Sequence, residues 1–116
     1  MDNQDKQNYL YKAKIVRIVD GDTFDAEVDL GFHTTIKTRF RLADIDTPEL
    51  RIKEQHEAAV KAKRFLEEKL LVGGTYYLVS HKSDKFGRWL ATVYLDDGST
   101  INGLMLKEGL AKVYGE

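Results

Sequence analysis

The chain has 116 residues, of which 42% are hydrophobic and 32% charged, and its formal net charge is -1. This composition is typical of a soluble, globular protein of one domain and argues against a disordered or fibrous chain. The chain has no cysteine, which excludes disulfides and thiolate metal sites, so any metal must be bound through oxygen or histidine.

The N-terminus is polar and acidic and does not resemble a secretory signal, and no apolar run approaches the roughly 20 residues that span a bilayer. We therefore expect no membrane partner. We expect a cytoplasmic location for the chain as given, or secretion if a leader has been removed. Lys and Arg outnumber Asp and Glu by nine to five within residues 51–88, which indicates either a surface that faces phosphate or a solvated helix face.

Residues 1–8 are predicted to be a disordered tail, and residues 9–116 a single domain. The first half of that domain is predicted to form three strands, at residues 9–19, 23–30 and 32–42. In the second and third strands, apolar residues alternate with charged ones, acidic in one strand and basic in the next. As an antiparallel hairpin, the two strands would place opposite charges across from each other.

The second half is predicted to contain a helix at 54–71, strands at 75–81 and 89–95, and a last extended piece at 113–114. A short helix, capped by Ser99 or Thr100 and closed by Gly109, is predicted before that piece. In the long helix, the apolar face is predicted to include Ala58, Ala62 and Leu66. Five strands with a helix between the third and fourth is the order of an OB-type barrel. The fold class is therefore a five-stranded OB-fold barrel with two helices.

Several aromatic residues of the later strands have the spacing of core residues, namely Tyr76, Tyr77, Trp89 and Tyr94. Because OB-fold proteins also stack bases on surface aromatics, base stacking is the alternative interpretation. Core packing is the interpretation that the spacing favours.

Candidate chemistry centres on residues 40–49, where Arg41, Asp46 and Glu49 lie close together in the sequence. Pro48 keeps the end of this stretch out of a helix. Hydrolysis of a phosphodiester requires that growing negative charge be neutralised and that a water be positioned and deprotonated. The residue types suit that chemistry, and Asp22 and Arg88 supply a second metal-capable acid and a second guanidinium.

Asp22 and Asp46 could bind a hard divalent cation through oxygen, and Glu49 could act as a general base. Arg41 and Arg88 could each donate paired N–H bonds to phosphate oxygens. Each motif by itself has an ordinary interpretation. Asp20-Gly21-Asp22 is a turn, the sequence around Pro48 is a helix entry, and residues 84–87 are a hairpin loop.

Taken together and in this order, the motifs resemble the staphylococcal nuclease (thermonuclease) family over roughly residues 12–114. The matching segments are residues 18–23, 40–42, 45–49, 84–88 with 90–91, and 102–111. The resemblance implies an OB-fold barrel and a calcium-dependent phosphodiesterase that acts on DNA, RNA or both. It also implies a single-stranded nucleic acid as the preferred partner and products that carry a 3′-phosphate.

Carried onto this sequence, the resemblance makes Asp22, Asp46 and the Thr47 carbonyl the ligands of Ca²⁺. It makes Glu49 the group that acts on the attacking water, and Arg41 and Arg88 the groups that bind the scissile phosphate. The implied substrate-binding positions are Lys85, Phe86 and Tyr114.

The sequence departs from the family's best-known member in three respects. Phe86 replaces a tyrosine and loses its hydroxyl, the segment after Glu49 is shorter, and the third helix is absent. Because that helix would cover an apolar surface, self-association is the alternative to the expected monomer. The alternative function is a non-catalytic OB module that binds nucleic acid or a protein.

Overall fold

A computed structural model of the chain describes residues 9–83 and 85–115, and the predicted tail at residues 1–8 lies outside them. The elements follow the predicted order, including the last extended piece, with one additional short strand at Ile45–Asp46 and a short 3-10 helix at Lys53–Gln55. The strands are β1 Tyr9–Asp20, β2 Thr23–Asp29, β3 Thr35–Leu42, β4 Ile45–Asp46, β5 Thr75–Ser83, β6 Trp89–Tyr94 and β7 Lys112–Val113. The α-helices are α1 His56–Lys69 and α2 Ile101–Lys107.

The five longer strands close into a barrel in the order β1-β2-β3-β6-β5, which confirms the predicted fold class. Every pair is antiparallel except β3 and β6, which run parallel from Phe40–Trp89 to Leu42–Ala91. A parallel pair needs a crossover connection, and the segment that contains α1 and β5 supplies it. β1 can pair with both β2 and β5 because it is long and because two register shifts bend it.

The core lies inside the barrel and beneath the two helices. The rings of Phe24 and Phe40 are cross-strand partners and stack with centroids 5.4 Å apart. Helix α1 covers the barrel with Ala59, Ala62 and Leu66, which recur at helical spacing and are all buried. Ala58 was predicted on this face but is exposed, because the apolar face is centred one residue later.

The β2–β3 hairpin has the predicted alternation and charge pairing. Asp25 lies opposite Arg39 and forms a salt bridge with it, and Glu27 lies opposite Lys37. The apolar side is buried only near the barrel. Leu30, Phe32 and Ile36 are exposed toward the hairpin tip, because the hairpin extends beyond the strands that would cover them.

The preference for core packing was wrong for Tyr77, Trp89 and Tyr94, which are exposed, whereas Tyr76 packs against the core. Tyr77 and Tyr94 directly adjoin buried residues of their strands, so alternation points them away from the core, whereas Trp89 lies on the inner side but is left uncovered by the barrel. Within the described residues, neither α-helix has the length and apolar character needed to cross a membrane.

Candidate active site

Asp22 lies in the tight turn that joins β1 to β2. Its backbone N–H donates to Asp20 Oδ1 at 3.1 Å, and its own Oδ1 accepts from the Thr23 hydroxyl at 3.0 Å. Gly21 lets the turn approach α1 closely, since a Cβ at this position would lie 2.8 Å from the Ala62 Cβ. Close packing against α1 therefore fixes the position of the turn, and the hydrogen bonds within the turn orient the Asp22 carboxylate.

Asp46 lies on the short strand β4, which is held from two sides. β4 pairs with β7, and the Tyr114 N–H donates to the Asp44 carbonyl at 3.0 Å. The buried Asn102 side chain donates to the carbonyls of Ala43 and Ala91, both at 3.0 Å. These bonds tie the loop after β3 to the barrel and to the C-terminal segment.

Arg41, at the end of β3, joins the two acids. Its Nη2 lies 3.4 Å from Asp22 Oδ2 and 3.1 Å from Asp46 Oδ1. The side chains of Arg41 and Asp22 are only 11% exposed, whereas that of Asp46 is 41% exposed, so solvent reaches the pair from the Asp46 side. The Thr47 N–H donates to Asp22 Oδ2 at 3.3 Å, and the Tyr114 ring lies 5.0 Å from Arg41 Cζ.

The centre carries more negative than positive charge. One guanidinium faces two carboxylates, and Asp20 adds a third acid beside Asp22. Burial, with the adjacent Asp22 carboxylate as the next cause, raises the pKa of Asp20 from 3.8 to about 6. A site with such a charge imbalance favours the approach of a cation.

The donor set suits a hard cation that keeps part of its water. Asp22 and Asp46 both contact Arg41, which holds their carboxylates near each other, and Asp46 is open to solvent. In the described part of the chain, no three His, Cys, Asp or Glu side chains form a metal-binding group. An ion here would therefore depend on the two carboxylates, the Thr47 carbonyl and water, which is a ligand set that Mg²⁺ or Ca²⁺ accepts.

Glu49 follows on an exposed loop, and its contacts are local. Its Oε1 accepts from Arg51 Nε at 2.9 Å, and its backbone N–H donates to the Gln55 side chain at 2.9 Å. Across residues 9–83 and 85–115, no hydrogen bond or ion pair joins Glu49 to the Arg41 centre. Arg51, which had no assigned role, is thus the partner of the predicted base.

The loop between β5 and β6 presents a second group of predicted residues. The Phe86 ring lies 5.3 Å from Lys85 Nζ and 5.1 Å from Arg88 Cζ, so the ring contacts both cations. Phe86 is exposed and Arg88 is half-buried. This loop provides two positive charges and an aromatic face.

The structure thus brings Asp22, Arg41, Asp46, Thr47 and Tyr114 together, and Glu49 and the Lys85–Arg88 group occupy separate loops. Sequence reasoning missed Asp20 and the positioning role of Asn102. The Asp-Gly-Asp turn was a signal for Asp20, since acids two residues apart in a tight turn lie close together. Asn102 lies in a segment that matches the family, but its role could not be predicted because its hydrogen-bond partners come from distant segments.

Comparison with known proteins gives a consistent result. The model of a family described as staphylococcal nuclease homologue matches residues 39–116. A protein of Escherichia coli named uncharacterized endonuclease is 32% identical, over 88% of this chain and 60% of its own length. A protein of Shigella flexneri named micrococcal nuclease is 34% identical, over 90% and 59%. The chain therefore spans about three fifths of the length of the curated relatives that it matches.

Proposed function

The chain belongs to the family of staphylococcal nuclease homologues, and on that premise we propose that it is a nuclease that hydrolyses phosphodiester bonds of DNA or RNA. The family membership confirms the resemblance seen in the motifs. The observation that carries the proposal is the buried Arg41 between two acids, because it lies inside the matched segment and at the end of a barrel strand.

Arg41 and Arg88 are the proposed phosphate contacts. Arg41 uses one nitrogen for both acids, and a guanidinium has five N–H donors in all, so donors remain for a phosphate oxygen. Its burial keeps those donors in one orientation and lowers the local dielectric, which strengthens their interaction with charge that grows in the transition state. Arg88 would contribute a second guanidinium from the opposite loop.

Glu49 is the proposed general base. Its carboxylate is exposed and accepts from Arg51, so it must exchange this partner for a water that attacks phosphorus. Arg51 is still more exposed than Glu49, and an exposed ion pair of this kind contributes only about 0.2–1 kcal/mol, so the exchange costs little. In this proposal Arg51 orients the Glu49 carboxylate through a weak ion pair that a water molecule can replace.

Calcium is the proposed cofactor, held by Asp22, Asp46 and the Thr47 carbonyl. When bound, it would offset the negative charge of the substrate phosphate and polarise a phosphate oxygen. The protein's own contribution is to hold two carboxylates rigidly, through the Gly21 turn and the β4–β7 pair, while leaving Asp46 open to solvent.

One observation favours a second candidate function, a non-catalytic OB module that binds nucleic acid. The carboxylate of the proposed base is paired with Arg51, and a binding module would keep it neutralised in this way. In that case the arginines and the Phe86 loop would bind phosphates without hydrolysing them.

The deciding experiment measures hydrolysis of single-stranded DNA and of single-stranded RNA by the purified protein, with calcium and with chelator. Glu49→Gln is compared with Glu54→Gln, a matched control because Glu54 is also an exposed glutamate of the same region. The nuclease proposal expects calcium-dependent cleavage that leaves 3′-phosphate ends, falls by roughly 10²–10⁴ in Glu49→Gln and is unchanged in Glu54→Gln.

Cleavage that survives Glu49→Gln would reject Glu49 as the base. Binding of the strand without cleavage by the unmodified protein would select the binding module.

A further inference from the structure

A cavity of about 360 Å³ opens at the barrel, away from the Arg41 centre, where the start of β1, the β2–β3 hairpin and the end of β5 meet. Its floor includes the buried residues Val28 and Phe40. Its walls carry three aromatic rings, Tyr9, Tyr11 and Trp89, and its rim includes Lys82.

This cavity has the features of a ligand pocket. Its volume lies within the range of about 300–1,000 Å³ that is usual for small-molecule sites, and its lining is mainly apolar with a few polar groups. Trp89 is 43% exposed and Ile36 is 44% exposed, so a contiguous apolar surface faces water. Such a surface on a small protein commonly marks a binding site.

Aromatic rings and adjacent positive charge together indicate the chemistry of the occupant. Flat aromatic side chains bind nucleobases by stacking, with little dependence on sequence. Residues 81–88 carry Lys82, Lys85 and Arg88 against a single acid in the sequence, and of these three cations Lys82 lines the cavity. A strand of nucleic acid would bring a base for the pocket and phosphates for these cations.

The position of the cavity relative to the proposed phosphate contacts agrees with this chemistry. Trp89 directly follows Arg88, and Phe40 directly precedes Arg41. Phe40 and Trp89 are also register partners in the parallel β3–β6 pair. The pocket and Arg41 therefore share the β3–β6 pair, with Phe40 and Arg41 on opposite faces of β3.

We propose that this cavity, which we call the mouth pocket, binds an unpaired base of a single-stranded nucleic acid. The base belongs to a nucleotide outside the scissile bond of the strand held at Arg41 and Arg88. The placement of that strand rests on the proposed function, whereas the base-binding chemistry of the pocket does not. The mouth pocket would thus select single strands, because a paired base cannot enter it.

A second copy of this chain is the competing occupant. Phe32, at the hairpin tip, is 99% exposed and could enter the mouth pocket of a neighbour. A phenylalanine carries no phosphate for Lys82 at the rim, so the observations favour a nucleic acid.

Trp89 is the chain's single tryptophan, so tryptophan emission reports directly on the mouth pocket. The experiment titrates the full chain, with chelator present to prevent hydrolysis, with an oligothymidylate of about 12 nucleotides. Anisotropy of a dye on the oligonucleotide measures total binding in parallel. The proposal expects quenching of Trp89 that saturates together with the anisotropy signal, and no quenching by a thymidine dinucleotide that fills only the Arg41 centre.

Three variants test the assignment. Ile36→Asp puts a negative charge in the mouth pocket at an exposed position that the fold tolerates, and Tyr11→Ala removes a ring from its wall. Each should weaken oligonucleotide binding by about 5- to 100-fold. Tyr77→Ala is the control for the loss of a ring, since Tyr77 is an exposed tyrosine that does not line the pocket, and it should leave the affinity unchanged.

Oligonucleotide binding without Trp89 quenching, unchanged affinity in Ile36→Asp, or no binding at all would overturn the proposal. A change in Trp89 emission with protein concentration alone, removed by Phe32→Ser, would assign the mouth pocket to a second copy. The two proposals fail in different ways. Hydrolysis without quenching retains the nuclease and rejects the pocket, whereas quenching without hydrolysis does the reverse.

Discussion

Two arginines on β3 have the same chemistry and different surroundings. Arg39 donates from Nε and Nη2 to both oxygens of Asp25, at 2.7 and 3.1 Å, and its side chain is 45% exposed. Arg41, two residues later on the same side of the strand, is nearly buried and contacts two different acids through one nitrogen. The better-formed pair is the one that we do not assign to function.

The difference follows from where the partner acids come from. Asp25 is the direct cross-strand neighbour of Arg39, so a regular ladder produces a complete two-bond pair. Arg41 faces Thr23 in that ladder, and its acids come from the β1–β2 turn and from β4. Each arginine uses two of its five N–H donors, so burial is what separates them. The remaining donors of Arg41 lie in a low-dielectric site, as phosphate binding requires, whereas those of Arg39 lie on an exposed side chain.

The largest expected effect is on catalysis. Arg41→Lys keeps the charge but loses the planar fork, so we expect hydrolysis of single-stranded DNA to fall by roughly 10²–10³. Arg39→Lys is the matched control and should hydrolyse at the normal rate. Equal losses in the two variants, at equal stability, would show that burial and partner geometry do not separate the two arginines.

The next effect is on stability. In Arg41→Leu, Asp22 stays buried beside Asp46 and Asp20 without its cation, and we expect the free energy of unfolding to fall by about 2–3 kcal/mol. In Arg39→Leu an exposed pair is lost, and the fall should stay within about 1 kcal/mol. Urea denaturation without divalent ions measures both values.

Repeating the denaturation of Arg41→Leu and Arg39→Leu with calcium tests the proposed ion site. If Asp22 and Asp46 bind the ion, added calcium should restore more stability to Arg41→Leu than to Arg39→Leu, because the ion replaces the missing positive charge. A response of equal size in the two variants would argue against an ion at these acids.

The β2–β3 ladder and its Asp25–Arg39 pair were predictable because they depend on period-two alternation, which is local in sequence. The Arg41 centre was predictable only through the joint resemblance to a family, since its acids come from segments that the fold brings together. Asn102 shows the limit of local reasoning, because its three hydrogen bonds join α2 to β6 and to the loop after β3.

The exposed aromatics show a different limit. Alternation puts Trp89 on the same side of β6 as the buried Ala91 and Val93, but it does not show how far neighbouring elements cover that side. Leu30 and Trp89 therefore had core-like spacing and still line an open pocket. Burial depends on the relative lengths of the strands and on barrel closure, which are properties of the assembled fold.

Asp20 and Asp25 are expected to make the stability of the fold depend on pH in opposite directions. The pKa of Asp20 is raised to about 6, so the folded state binds its proton more tightly than the unfolded chain does. Stability should therefore fall as the pH rises from about 4 to about 6 and then level off. Asp20→Asn should remove this fall and raise the free energy of unfolding by about 1 kcal/mol near pH 7, after solvent screening is allowed for.

Denaturation midpoints across this pH range measure the Asp20 effect, with Asp96→Asn, in an exposed turn, as the control. A variant profile parallel to that of the unmodified protein would mean that Asp20 does not take up the proton.

The smallest expected effect comes from Asp25, whose contribution to stability increases with pH, whereas that of Asp20 decreases. The hydrogen bonds from Arg39 hold the pKa of Asp25 below 3.8, so this pair stabilises the fold above that pH, and the stabilisation is lost as the pH falls through the lowered pKa. Because the pair is exposed, Asp25→Asn should cost only about 0.5 kcal/mol near neutral pH, and less in high salt. The cost should vanish in acid, measured as the difference in unfolding free energy between the variant and the unmodified protein. A cost that persists in acid and in high salt would come from packing instead, and Arg39 would then differ from Arg41 in more than the completeness of its ion pair.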